Sequence, residues 1–283
     1  MFYIELHFQR KRMRKFRELI SVYINSSIHV ALAVVALTYV SAIELALELP
    51  DYLVYFIFFA SITGYNFVKY AGIAKLYHIS LTSNLRLIQI FSFISFLLML
   101  YFGWQLSALA WLVLLPLGLL NFFYAVPVFL KARNLRSIPF LKVFVIALVW
   151  AGVSVYLPVI ETYTELTSTT HWYAGQRFLM VCCLMIPFEI RDIRFDQIGI
   201  KTLPQVLGIR KTKILGGLLL LIGSGINFIL LDSTHFSVYL LVALSLLLLI
   251  LFSKVHQKKY FASFWVEALP IFYLFVLIII SFV

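Results

Sequence analysis

The chain has 283 residues, 63% of them Ala, Val, Ile, Leu, Met, Phe, Trp, Tyr or Cys and only 12% charged, with a mean hydropathy of +1.00 and a formal net charge of +11. A soluble globular surface needs charge on about a quarter of the residues, so that class is excluded, and the scarcity of Gly (12), Pro (8) and Cys (2) excludes disorder, collagen and a disulfide scaffold. What remains is an all-α polytopic membrane protein.

Residues 1–18 read as a basic cytoplasmic arm carrying Arg10, Lys11, Arg12, Arg14, Lys15 and Arg17. The arm is similar to the basic region of a signal peptide. The apolar stretch after it is longer than a signal core and runs to Glu44, which makes it a first membrane helix. Residues 19–283 then read as one transmembrane domain of nine apolar segments, near 19–43, 52–74, 86–103, 107–130, 140–160, 172–191, 214–231, 236–253 and 264–283. Cys182 and Cys183 are adjacent inside the sixth segment and count as buried apolar residues rather than as a disulfide or zinc framework.

The charges alternate with these segments. Basic residues fall in the arm, between segments 2 and 3 (Lys69, Lys75, Arg86), 4 and 5 (Lys131, Arg133, Arg136, Lys142), 6 and 7 (Arg191, Arg194, Lys201, Arg210, Lys211, Lys213), and 8 and 9 (Lys254, Lys258, Lys259). Only Arg177 of the 23 Lys and Arg residues falls elsewhere, while Glu44, Glu48, Asp51, Glu161, Glu165 and Asp232 mark the other face. Basic loops favour the cytoplasm, so the expectation is nine helices with a cytoplasmic N-terminus in a cell membrane, the bacterial inner membrane by this reading. The net charge is then a topological signal toward membrane lipids, and no nucleic-acid partner is expected.

Ionisable residues at the membrane border carry the chemistry. Glu189, Asp192 and Asp196 stand at i, i+3 and i+7, within an arc of about 60° on one helical face, with Arg191 and Arg194 pointing elsewhere. Clustered carboxylates repel unless a cation sits among them, and hard oxygen ligands suit Mg²⁺ bridged to substrate phosphate. The plain alternative is that these carboxylates pair with Arg191, Arg194 and Lys201. Asn25, Ser26, Ser27 and His29 in the first segment read as interhelical hydrogen-bonding groups. Glu267 either faces the same region or pairs with Lys258 or Lys259.

The stretch from Glu189 to Gly208 resembles the second aspartate-rich motif of the UbiA-type intramembrane prenyltransferases, with Asp192, Asp196, Gly199, Thr202, Leu203, Pro204, Leu207 and Gly208 on the pattern and Glu189 in place of the leading Asp. Asn121 to Lys131 is similar to that family's loop between helices 4 and 5, matched at Tyr124, Pro127 and Lys131. The family's first motif aligns with Asn66 to Ala74, where Phe67, Tyr70 and Ala74 replace its three Asp residues and only Asn66 is kept. Lys69 places a fixed cation beside the lost carboxylates.

The resemblance implies a nine-helix bundle with a cytoplasmic site that transfers a polyprenyl group from an isoprenoid diphosphate to a lipophilic or aromatic, lipid-soluble acceptor. It implies Mg²⁺ held by Glu189, Asp192 and Asp196. Asp192, Asp196 and Lys131 become the catalytic candidates, and Asn66, Lys69, Tyr124, Lys131, Arg194 and Lys201 the substrate-binding ones. The alternative is a catalytically lapsed relative that binds an isoprenoid or quinone, or serves as an interaction partner. A transporter reading lacks the broken helices and repeats it calls for.

Overall fold

The computed structural model describes residues 18–70, 83–126, 140–194 and 202–281, and every structural statement below concerns these. In chain order the helices are α1 (Glu18–Asn25), α2 (Ile28–Glu44), α3 (Asp51–Tyr70), α4 (Ser83–Gly103), α5 (Ala108–Ala125), α6 (Leu141–Glu161), α7 (Ser168–Asp192), the short α8 (Leu203–Leu207), α9 (Ile209–Leu230), α10 (Ser233–Phe252) and α11 (Phe261–Ser281). No strand occurs among the described residues.

The helix boundaries follow local chemistry. The Ser107 hydroxyl accepts from the Ala110 amide at the start of α5, and the Asp232 carboxylate accepts from the Thr234 and His235 amides at the start of α10. Each satisfies donors that a helix start leaves open. Two helices contain a π-helical turn, Gly152–Tyr156 in α6 and Phe261–Val266 at the head of α11. In the first, the Leu157 amide bonds to the Gly152 carbonyl five residues back, just ahead of Pro158, whose ring nitrogen has no hydrogen to continue the α pattern.

Seven helices are long and apolar enough to cross a membrane, and α1 with α2 makes an eighth if the pair, bent by 56°, is one span. The single straight first helix read from residues 19–43 is therefore broken. Its bend falls at Ser27, which adopts a left-handed φ of 64°. The 20-residue α3 is about 30 Å long at 1.5 Å per residue, but its Tyr, Asn, Asp and Lys residues keep it outside that set of seven. It ends at Tyr70 in the described part of the chain.

The helices close into a ring. α3 packs on α2, α4 and α5; α5 packs on α6, α6 on α7, α7 on α9, α9 on α10, and α10 on α11, which returns to α2. The π-turn of α6 reaches across to α2. Outward faces carry bare apolar side chains, among them Phe93, Leu97, Leu112, Leu221 and Phe228, a surface suited to lipid and not to water. Lipid is as apolar as the core, so helix association here rests on close packing and interhelical hydrogen bonds. At Gly216 a Cβ would lie 2.6 Å from Ile186 Cδ1, so a larger residue there would displace the Ile186 side chain where α9 packs on α7.

Candidate functional site

One end of the bundle collects the polar groups of the candidate site. The C-terminal ends of α3, α5 and α7 meet the starts of α6 and α11 there, together with the break between α1 and α2. At the break, buried Asn66 of α3 accepts from the Ser27 hydroxyl at 2.7 Å and donates to the Ser26 carbonyl at 3.1 Å and to Ser92 Oγ of α4 at 2.7 Å. Its amide thus clasps three chain segments and closes off the strained residue. His29 joins α2 to α11: its Nε2 lies 2.9 Å from the Phe264 carbonyl, an acceptor only, so Nε2 carries the proton and Nδ1 accepts from the Tyr23 hydroxyl at 2.8 Å.

The carboxylates of α7 sit beside this clasp. Glu189, only 1% exposed, and Asp192 share one cation, the ammonium of Lys142 in the first turn of α6, which lies 3.0 Å from Glu189 Oε1 and 2.7 Å from Asp192 Oδ2. The Glu189 Oε1 contact is an ion pair without hydrogen-bond direction, because that buried oxygen has no aligned donor. The other oxygen of Asp192 receives Nε and Nη2 of Arg191, each at 2.8 Å, and the Arg191 guanidinium lies over the Phe188 ring. Two carboxylates and two cations therefore cancel formally within one cluster. Tyr124 of α5 is buried within electrostatic reach of Lys142.

Lys69 and Tyr70 both donate to the Asn25 carbonyl, each at 3.1 Å, so two side chains from the first-motif region help to hold the end of α1. Lys69 remains exposed. Across from it stands Glu267, half-buried at the end of the π-turn in α11, where the charges acting on it are Lys69 and Arg191. Glu267 therefore faces the polar cluster, which settles the choice its sequence position left open. Arg194 lies just past α7 and is exposed. Asp196, Lys131 and Lys201 lie outside the described residues. Of the remaining candidates, the structure brings Glu189, Asp192, Tyr124, Asn66 and Lys69 to one end of the bundle.

Sequence reasoning missed Lys142, which counted only as a loop charge. An ammonium in the first turn of an apolar helix opposes the helix dipole, and that mismatch was the available signal that carboxylates lie opposite it. The resembling stretch after α7 has structural reasons for its composition: the Gln205 side chain accepts from the Thr202 amide at 2.9 Å, Pro204 occupies the first turn of α8, and Gly208 takes φ 79° at the junction with α9.

A second buried polar group lies in the opposite half. Arg177, the one basic residue outside the basic loops, is 0% exposed and pairs with Glu44 at the end of α2. Its Nε donates to Ser41 Oγ at 3.2 Å and another nitrogen donates to Gln176, while the Tyr273 hydroxyl donates to Glu44 at 2.7 Å. The off-side charge is thereby neutralised inside the bundle.

For Mg²⁺ the donor chemistry fits. Glu189 and Asp192 are hard oxygen donors already arranged around one cation, and Glu189 Oε1 is buried without an aligned hydrogen-bond partner. The described residues alone assemble no group of three or more His, Cys, Asp or Glu side chains.

No protein-family model and no curated protein sequence matches the chain. Solved structures do. A UbiA homologue from Aeropyrum pernix K1 aligns with a TM-score of 0.67 at 15% identity, over 90% of this chain and 99% of that one. A UbiA homologue from Archaeoglobus fulgidus bound to GPP and Mg²⁺ aligns with a TM-score of 0.61 at 15% identity, over 91% and 99%. A digeranylgeranylglyceryl phosphate synthase structure aligns with a TM-score of 0.55 at 14% identity, over 94% and 97%. Nearly end-to-end alignment, apolar helices and a closed helical ring make this chain an integral membrane protein with the UbiA-type fold.

Proposed function

We propose that the chain transfers a prenyl group from an isoprenoid diphosphate to a lipid-soluble acceptor, at a site on the cytoplasmic side of a membrane it spans nine times, with α3 counted as one of the spans. The observation that carries this reading is the convergence of Glu189, Asp192, Lys142, Arg191 and Lys69 at one end of a UbiA-type bundle. Structures with that fold have been solved with GPP or DMAPP and Mg²⁺.

Departure of diphosphate leaves an allylic cation, so the site must hold the leaving group and keep water from the carbon it leaves. Lys69 is exposed at the mouth and presents an ammonium to diphosphate, with Arg194, Lys131 and Lys201 as further cationic partners. Asn66 serves the substrate indirectly, because its amide is committed to Ser26, Ser27 and Ser92 and keeps the α1–α2 break in place. Tyr124 lines the site beside Lys142. Glu189, Asp192 and Asp196 are the residues that would hold Mg²⁺, which supplies neutralisation of the departing diphosphate when bound. The aromatic side chains that make up 17% of the chain suit an isoprenoid tunnel.

One observation favours the rival reading of a non-catalytic isoprenoid- or quinone-binding relative. Tyr70, which stands where the first motif has an Asp, spends its hydroxyl on the Asn25 carbonyl, so this position braces helices. A transfer assay separates the two. Purified protein in nanodiscs of extracted membrane lipid, given radiolabelled geranyl diphosphate and Mg²⁺, should release diphosphate and place label in the lipid fraction. Saturable binding with no diphosphate release would establish the rival.

A further inference from the structure

Lys142 occupies the position between two carboxylates where a metal ion would serve. Its ammonium touches Asp192 Oδ2 at 2.7 Å and Glu189 Oε1 at 3.0 Å, and it is 18% exposed. Arg191 holds the remaining oxygen of Asp192. The position is costly for Lys142 alone: the first turn of α6 carries the positive end of the helix dipole, and the residue before α6, Phe140, adopts a left-handed φ of 64° that a bulky side chain rarely takes. The carboxylates are what hold the ammonium there. Conversely, the ammonium and the Arg191 guanidinium leave the Glu189–Asp192 pair with no net charge for a free divalent cation to bind.

We propose that Lys142 is an internal cation that closes the Glu189–Asp192 pair to Mg²⁺ until an isoprenoid diphosphate arrives, so that metal and diphosphate bind as a coupled pair and poorly apart. The proposal rests on the prenyl diphosphate reading above. At Glu189 and Asp192 a free hexahydrated Mg²⁺ meets two carboxylates that are already neutralised, and it gains little by displacing an ammonium from them. Diphosphate changes both sides of that exchange. It brings oxygens that complete an oxygen coordination shell for Mg²⁺, and it offers the displaced Lys142 ammonium a new anionic partner. Linkage then requires reciprocity: diphosphate raises the affinity for metal by the same factor that metal raises the affinity for diphosphate. Lys142 is a positioning residue in this scheme, acting through Glu189 and Asp192. Its side chain also explains why the buried Glu189 and half-buried Asp192 carboxylates can sit together without driving their helix end apart.

The test uses the full chain in nanodiscs and Mn²⁺ as the probe, with protein-bound Mn²⁺ counted by electron paramagnetic resonance after removal of free ion, in the absence and presence of geranyl diphosphate. Wild-type protein should bind Mn²⁺ weakly alone and at least about fivefold more tightly with geranyl diphosphate present, within the usual range of coupling between sites. Lys142→Met should bind Mn²⁺ alone about tenfold more tightly than wild type and show little further gain from diphosphate, whereas Lys142→Arg, which keeps the charge, should retain the wild-type pattern. Wild type binding Mn²⁺ alone as tightly as Lys142→Met overturns the proposal. If Lys142→Met does not fold, the wild-type coupling decides: a change of less than twofold on adding geranyl diphosphate overturns it. Failure of geranyl diphosphate to bind at all defeats the prenyl-transfer reading, and the comparison of wild type with Lys142→Met on Mn²⁺ alone still decides the role of Lys142.

Discussion

Arg177→Met should be among the most damaging single substitutions in the chain. The change leaves the Glu44 carboxylate, fully buried, facing only the Tyr273 hydroxyl, and it strips Ser41 Oγ and Gln176 Oε1 of their donor. Removing one partner of a buried ion pair costs about 3–5 kcal/mol, because the other charge is left uncompensated. At about 2–4 °C per kcal/mol for a chain of this size class, the midpoint of thermal unfolding should fall by about 6–20 °C. The protein carries its own reporter. Cys182 and Cys183 are free, buried thiols on the same helix as Arg177, so their reaction with a thiol-reactive fluorophore on heating follows the opening of α7 in detergent. Arg177→Met with Glu44→Leu removes both charges and should recover most of the loss, since well-packed apolar residues replace buried ion pairs at little cost. A single mutant as stable as wild type, or a double mutant no better than the single, would refute the reasoning.

Three further outcomes follow from the same geometry. Asn66→Leu removes two hydrogen bonds to the α1–α2 break and one to Ser92 of α4 and should cost about 2–3 kcal/mol in the same thermal assay, with Ser27 holding the left-handed turn unaided. Thr164→Cys and His256→Cys, each in a Cys182→Ala/Cys183→Ala background, should react with a membrane-impermeant maleimide from opposite sides, His256→Cys from the cytoplasm; reaction of both from one side would end the topology. The amide and ring of His235, with the Thr234 amide, hold the Asp232 carboxyl below its ordinary value. A lowered folded pKa means that this stabilisation is present above the unfolded pKa of about 4 and is lost as pH falls through the folded value, so Asp232→Asn should flatten the acid limb of the stability profile.

Much of the architecture was legible because lipid imposes long apolar runs, and these survive as α4 to α7 and α9 to α11 within a few residues of the expected ends. The bend at Ser27 was not, since Asn25, Ser26 and Ser27 read equally well as hydrogen-bonding groups inside a straight helix, and only the arrival of Asn66 from α3 fixes the turn. The face shared by Glu189 and Asp192 could be read from helical spacing. Its cation could not, because Lys142 lies 50 residues from Asp192 and meets it only through the packing of α6 on α7. The pairing of Arg177 with Glu44 spans 133 residues and likewise depends on the closed ring. Lys69 was visible as a charge beside a lost motif; that it and Tyr70 share the Asn25 carbonyl was a matter of tertiary geometry.

The central claim is that the polar end of the bundle receives an isoprenoid diphosphate by its diphosphate. Equilibrium binding of radiolabelled geranyl diphosphate to purified protein with Mg²⁺ tests it most directly. The account predicts one saturable equivalent, displaced by inorganic pyrophosphate, abolished in Asp192→Asn with Asp196→Asn, and weakened by about 1.5–3 kcal/mol in Lys69→Ala through loss of a charge-assisted contact. Binding that is absent, or that neither pyrophosphate nor these substitutions disturb, would contradict it.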